Sequence, residues 1–203
     1  FICQIVLSKT GLPTLTYGTE RIKQLIHIEE QESSSATALL NNSDQSLTEL
    51  DLRGYDCAIS WGAVTTSGNE TSATAPLMVI SQERPSSPGV LTCLLVMAGH
   101  FNLMKEDKAS ASYEGASDAT DTVKTRFNAV AGSTLAPFTH CRVYTVTWDS
   151  EDSLVNTFAP KDSFEIAEKE SRYNVLKKLL GWTKCVMRIG ADGAIHIFVP
   201  TIE

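Results

Sequence analysis

The chain has 203 residues, 42% hydrophobic and 20% charged, with a formal net charge of −7. That length supports a buried core in one large domain or two small ones, and the mixture is neither polar enough for disorder nor apolar enough for a membrane bundle. No apolar run approaches the roughly 20 residues of a spanning helix. Lys and Arg are scattered, with only Lys177 and Lys178 adjacent, so no basic face is offered to phosphates, and neither nucleic acid nor membrane is expected as a partner.

Taken in order, residues 1–7 form an apolar run with no basic region before it and no cleavage site after it, which is not the pattern of a secretion signal. The chain starts at Phe1 instead of Met, the mark expected of a processed or partial product. A turn follows at residues 8–13. Ile22, Leu25, Ile26 and Ile28 then lead into the acidic stretch Glu29-Glu30-Gln31-Glu32. Residues 34–40 alternate small and apolar side chains and end in the turn cluster Asn41-Asn42-Ser43-Asp44. Cys57, Ile59 and Trp61 alternate with Ala58 and Ser60, the period of a strand with one buried face. Residues 65–74, rich in Gly, Ser, Thr and Asn, carry no period and read as an exposed loop. Residues 77–81 and 90–97 flank Pro85-Ser86-Ser87-Pro88-Gly89, which predicts a β-hairpin. A short helix is expected over 99–104.

The second half mixes helix and strand. Asp118 is a candidate N-cap with Asp121 three residues on, and Val123, Phe127 and Val130 form one helical stripe closed by Gly132. Residues 143–148 alternate like a strand. Ser171 can cap a helix that buries Leu176, Leu179 and Leu180 and leaves Arg172, Lys177 and Lys178 in water. Residues 185–189 and 194–199 flank Gly190-Ala191-Asp192-Gly193, a second hairpin whose Asp-Gly supplies the positive φ of a tight turn. The character changes near 105–118. The expected architecture is therefore α+β and mainly antiparallel β: an N-terminal barrel-like domain over 1–108 and a smaller α/β subdomain, helix then hairpin, over 109–203.

No catalytic, cofactor-binding or metal-binding residue emerges. Cys3, Cys57, Cys93, Cys141 and Cys185 are odd in number, lack a Cys-x-x-Cys pair and sit in apolar runs, so all five read as core residues of a reduced, cytosol-made protein. His27, His100, His140 and His196 have no metal-ligand companions at i+2 or i+4, and His196 alternates with apolar neighbours as a solvent-facing strand residue would. Cys141 beside His140 is the nearest approach to a nucleophile–base pair, yet adjacent strand residues face opposite ways. Glu29, Glu30 and Glu32, or Asp149, Glu151 and Asp152, supply carboxylates but neither the cross-cleft spacing of a glycosidase nor a calcium-loop pattern. Gly190-Ala191-Asp192-Gly193 lies between strands and cannot cradle a phosphate at a helix start.

Two stretches resemble the tail hub (baseplate) proteins of bacteriophages, the late-control-D and tail-associated-lysin group to which the VgrG spike is related. The first is Ser35-Ala36-Thr37-Ala38-Leu39-Leu40-Asn41-Asn42-Ser43-Asp44, then Leu52-Arg53-Gly54-Tyr55-Asp56-Cys57-Ala58-Ile59-Ser60-Trp61-Gly62, then Ala75-Pro76-Leu77-Met78-Val79-Ile80 and Leu91-Thr92-Cys93-Leu94-Leu95. The second is Ser171-Arg172-Tyr173-Asn174-Val175-Leu176-Lys177-Lys178-Leu179-Leu180 followed by the hairpin from Cys185 to Ile197. The resemblance covers about residues 20 to 199 and rests on order and spacing. It implies a non-enzymatic virion protein, assembled in the bacterial host cytoplasm, that joins the tail tube to the distal tip. Self-association as a trimer is implied, as are contacts with distal tail, tape-measure and tube proteins. Hub proteins of this group continue into a second barrel, whereas this sequence ends at Glu203, so the trimer is an expectation for the parent protein. The alternatives are a tail-associated peptidoglycan hydrolase using Glu151 and Asp152, or a β-barrel module binding carbohydrate or peptide through Trp61, Trp148 or Trp182.

Overall fold

Strand alternation governs the first half of the chain. The computed structural model describes residues 2–115 and 120–201. Strand β1 (Ile2–Ser8) turns Cys3, Ile5 and Leu7 inward, and short β2 (Leu15–Tyr17) pairs along it. Then come β3 (Ile22–Glu30) and β4 (Ser33–Asn41), an antiparallel hairpin across the acidic turn. β5 (Asp56–Thr65) runs antiparallel to β1 with Ile5 opposite Ile59, and β6 (Gly68–Ala73) folds back on its second half. The segment expected as a loop is thus a strand. All six β6 residues are exposed, so no buried face imposes the period of two by which a strand is read. Gly62 permits the close approach, since a Cβ there would lie 2.0 Å from the Glu70 carbonyl oxygen.

The Pro/Gly-turned hairpin forms as predicted: β7 (Leu77–Glu83) pairs with β9 (Val90–Gly99), with a bulge between Val79 and Ser81 and the two-residue β8 (Ser86–Ser87) against the start of β9. β9 also pairs with β4, giving the sheet order β2-β1-β5-β7-β9-β4-β3 with β6 on β5 and β8 on β9. The mainly antiparallel α+β class is the one observed, but the sheet is open and the barrel is not closed. Closure would need β2 and β3 to pair, and β2, three residues long, pairs only with β1 among the described residues. The inward faces bury Ile5, Leu7, Leu40, Ile59, Leu77, Val79, Leu95 and Met97 in one apolar cluster, at about 1.5–3 kcal/mol for each large side chain taken from water.

Contacts divide the chain into two compact units, Phe1–Asn102 and Leu103–Glu203, the division falling inside α1 (His100–Glu106). In the second unit β10 (Tyr113–Glu114) pairs with a later strand, β12 (Glu165–Ile166). Helix α2 (Val123–Ala131) buries the predicted stripe Val123, Phe127 and Val130. Its N-cap is Thr122, whose hydroxyl accepts from the Thr125 amide; Asp118, the expected cap, lies outside the described residues. Strand β11 (Val146–Trp148) covers only the end of the predicted 143–148 strand, and α3 (Ser153–Thr157) follows it. Helix α4 (Arg172–Leu180) is capped by Ser171, as its sequence predicts. Strands β13 (Val186–Ile189) and β14 (Ile195–Phe198) form the second hairpin, with Gly193 at φ +80° in its turn. β11 joins β14 in parallel, making a three-stranded sheet ordered β11-β14-β13.

The expectation for Arg172 fails. Its side chain is fully buried and donates to the carbonyls of Val130, Ala131 and Arg142, to the Ser133 hydroxyl and to Asp107. The last carbonyls of α2 lack intrahelical donors, and a guanidinium supplies several at once. A second arginine, Arg126, is buried too, donating to the Gly115 carbonyl at 2.7 Å with its guanidinium over Phe164. Cys3, Cys57, Cys93 and Cys185 are core residues as expected, whereas Cys141 is only half-buried; all five are free thiols.

Candidate functional site

The strand alternation that builds the core also builds the opposite face. With Leu25 turned toward the core, Gln24, Ile26 and Ile28 of β3 point outward, and register carries this face across the sheet. Ile26 stands opposite Thr37, which stands opposite Val96. Ile28, Ser35, Ala98 and Met78 form the next row, and Gln24, Leu39, Leu94 and Glu83 the row on the other side. Ile26 and Ile28 are 50% and 53% exposed, and Ile80, in the β7 bulge, is 48% exposed. Leu39, Leu94 and Val96 are half-buried by their neighbours. The result is an outer face over β3, β4, β9 and β7 in which apolar Ile26, Ile28, Leu39, Leu94 and Val96 are interspersed with Thr37 and Ser35. Large apolar side chains left half in water on one face make it a candidate contact surface. Beside it lies an open edge: β3, nine residues long, pairs only with β4 among the described residues, and such an edge presents unpaired backbone groups to a further strand.

The carboxylates considered as catalytic are engaged elsewhere. Glu151 binds Lys124 and Asn156, and the Lys124 ammonium beside it holds its carboxyl below the usual range. A glycosidase acid needs the opposite shift. Asp152 caps α3, accepting from the Leu154 amide at 2.8 Å. Asp149 lies against His196, Nδ1 to carboxylate oxygen 3.0 Å. His196 is therefore not a simple solvent-facing residue: its side chain is 17% exposed and wedged between Asp149 and Asp192. Glu29 and Glu30 end β3 on the surface.

His140 and Cys141 occupy a turn, so the opposite-faces argument for a strand does not apply, and Sγ lies 3.5 Å from Nε2. Burial first, then the Asp107 carboxylate, push the Cys141 thiol up, which disfavours the thiolate a nucleophile needs. His27 sits half-buried on β3 and His100 is buried at the start of α1. Among the described residues no group of three or more His, Cys, Asp or Glu could hold a metal ion, and no helix is long and apolar enough to cross a membrane. Small surface hollows occur among the described residues. In one, of about 250 Å³, Arg53 pairs with Asp51 at 2.7 Å and Arg84 donates to the Leu50 carbonyl at 2.8 Å, so its cations already have partners.

The tryptophans serve packing. Trp61 rests against the core cluster. Trp148 meets Phe127 edge-on at 5.6 Å and donates to Asn128 at 3.1 Å. Trp182 stands edge-on to Phe158 and Phe164, at 5.9 and 6.4 Å. All three are half-buried.

No family model matches the chain, and no curated protein matches it in sequence. Solved structures do. A tail protein from Neisseria meningitidis MC58 superposes with a TM-score of 0.60 at 15% identity, over 96% of this chain and 50% of that one. The 43 kDa tail protein of prophage MuSo2 from Shewanella oneidensis gives 0.52 at 12% identity, over 96% and 55%. A half-lidded PdpA–VgrG complex from Francisella gives 0.58 at 12% identity, over 97% and 30%. The chain spans about half the length of the two tail proteins. Over nearly all its own length, the chain has the fold seen in phage tail proteins and in the PdpA–VgrG complex, the match that its two hub-like stretches implied.

Proposed function

We propose that the chain is a structural component of a phage tail, placed in the tail-tip or baseplate hub that joins the tail tube to the distal tip, and that it works by assembly without catalysing a reaction. The observation that carries this reading is the outer face bearing Ile26, Val96, Leu39, Leu94 and Ile28 beside the open edge of β3. A protein that works by assembly needs such a face and edge; one that works by chemistry needs convergent titratable groups with shifted pKa values. In this proposal residues 1–108 are the hub domain and 109–203 an α/β insert. Partners are further copies of the chain, as a trimer in the complete hub, together with distal tail, tape-measure and tube proteins. The location is the virion tail, built in the host cytoplasm.

The test is assembly in infected cells with the Ile26→Lys/Ile28→Lys double variant, followed by mass spectrometry of cross-linked purified tails. The expected result is that wild-type chain cross-links through Lys23 to other tail components, and that the variant folds but is missing from tails. Wild-type chain absent from purified tails, or a variant incorporated as well as wild type, would overturn the proposal.

A further inference from the structure

In the three-stranded sheet the His196 ring has a carboxylate on each side. Nδ1 lies 3.0 Å from both oxygens of Asp149, just beyond the end of β11, while Nε2 lies 3.1 and 3.2 Å from the oxygens of Asp192 in the β13–β14 turn. A neutral imidazole carries one N–H, so in either tautomer one nitrogen would aim a lone pair at a carboxylate. Only the imidazolium donates to both. We propose that His196 is a proton-operated clasp, tying the end of β11 to the β13–β14 turn when charged and releasing it when neutral.

The surroundings support this from every packed element. On the β13 side the residue opposite His196 is Arg188, whose guanidinium lies 3.8 Å from Asp149. On the β11 side the register partner is uncharged Thr147, and the charged group is Asp149 itself. From the turn comes Asp192, which also accepts from the Ala194 amide at 3.0 Å. Two carboxylates thus face two cations while the ring is charged, and one cation when it is not. Gly190 makes room, because a Cβ there would lie 2.6 Å from ring atoms. Asp149 above all, then Asp192, raise the His196 pKa. The clasp adds to the ties at the C-terminal end of β11, where the ladder to β14 finishes at Trp148: the Asp149 and Ser150 amides donate to the Ile197 carbonyl, and the Ser150 hydroxyl accepts from the Val199 amide. Loss of the ring's charge therefore loosens the Asp149 end of β11, while the ladder to β14 stays in place.

The experiment is an NMR titration of the full chain that follows the His196 ring resonances and the amide-exchange protection of residues 146–149. The expected result is a His196 titration above that of a free imidazole, with both ring nitrogens protonated below it. Protection of residues 146–149 should fall at least threefold as pH rises through that titration. Asp149→Asn should lower the titration more than Asp192→Asn, and His196→Gln should abolish the pH-dependent step in protection. A wild-type titration at or below the free imidazole value would overturn the proposal, whatever the variants do. So would a step in protection that survives in His196→Gln.

Discussion

Replacing Arg172 with Met tests whether a buried guanidinium holds the second unit together. Met keeps much of the length and apolar volume but donates nothing. Charged hydrogen bonds to the Val130 and Arg142 carbonyls, at 3.0 and 2.6 Å, and to the Ala131 carbonyl are lost, along with contacts to Ser133 and Asp107. At about 1.5 kcal/mol for each hydrogen bond to a charged donor, the three carbonyls lose roughly 4–5 kcal/mol. Each carbonyl keeps a neutral donor: the Ser133 amide for Val130, the Tyr144 amide for Ala131 and the Ser133 hydroxyl for Arg142. Removing a buried charge also relieves its desolvation cost. A net loss of about 3 kcal/mol remains, or about 15 °C in the Tm of a unit of this size. Trp148 and Trp182 both lie in the second unit, so in a Trp61→Phe background their fluorescence reports its unfolding in urea. Lys184→Met, at an exposed site, is the control and should change stability by less than about 0.5 kcal/mol. A loss under about 1 kcal/mol for Arg172→Met would refute the reasoning.

Burial pushes the Cys57 thiol up to about 12, and Cys3, Cys93 and Cys185 are also buried; alkylation of folded protein at pH 8, read by intact mass, should therefore label Cys141 first and the other four only as fast as the chain opens. Gly62→Val places side-chain atoms against the Glu70 carbonyl, so hydrogen exchange should show residues 63–71 losing protection while residues 57–59 keep theirs; unchanged protection at 63–71 would contradict the close packing of that arm. The Glu151 carboxyl is held low chiefly by Lys124, so its contribution is present above its unfolded pKa and fades as pH falls through its folded one. Glu151→Gln should cost less than about 1 kcal/mol at neutral pH and flatten that acid limb in urea-unfolding curves taken at successive pH values.

Strands with one face on the core announced themselves: β4 and β5 carry an alternating signal because burial selects every second side chain, and β7 and β9 stand out as apolar runs on either side of the Pro/Gly turn. β6 carries none, since no core lies beneath it. The open sheet was not legible either. Whether a sheet closes depends on how its first and last strands pair, and that leaves no local signature. The parallel partnership of β11 with β14 is similarly non-local. Arg172 is different, because its signal was present. Positions 172, 176, 179 and 180 share one helical stripe, and all four side chains are buried. Residue type suggested water, while position said core. The carbonyls at the end of α2 decide for position, as does the Gly115 carbonyl for Arg126 on the stripe of Val123, Phe127 and Val130. The His196 clasp was hidden because Asp149 is distant in sequence and comes alongside only through the parallel strand pair.

In the proposed role the main sheet separates two jobs by face, which makes fold and assembly separable by experiment. The inward set, Leu95 and Met97 among it, is fully buried and determines whether the chain folds. The outward set adds little to that, because Ile26 and Ile28 keep half of their surface in water. Leu95→Ala should therefore cost the first unit about 2–5 kcal/mol. Ile26→Lys/Ile28→Lys should leave unfolding of the isolated chain within about 1 kcal/mol of wild type while reducing its self-association in sedimentation. The lysines also defend the β3 edge, since charge on an edge strand opposes further pairing. This division is compatible with a fold retained at 12–15% identity: inward positions need only stay apolar and of suitable volume, whereas outward positions are free to match whichever neighbour they meet. Equal losses of stability from the inner and the outer substitutions would show that the exposed face belongs to the fold and not to a contact with another chain.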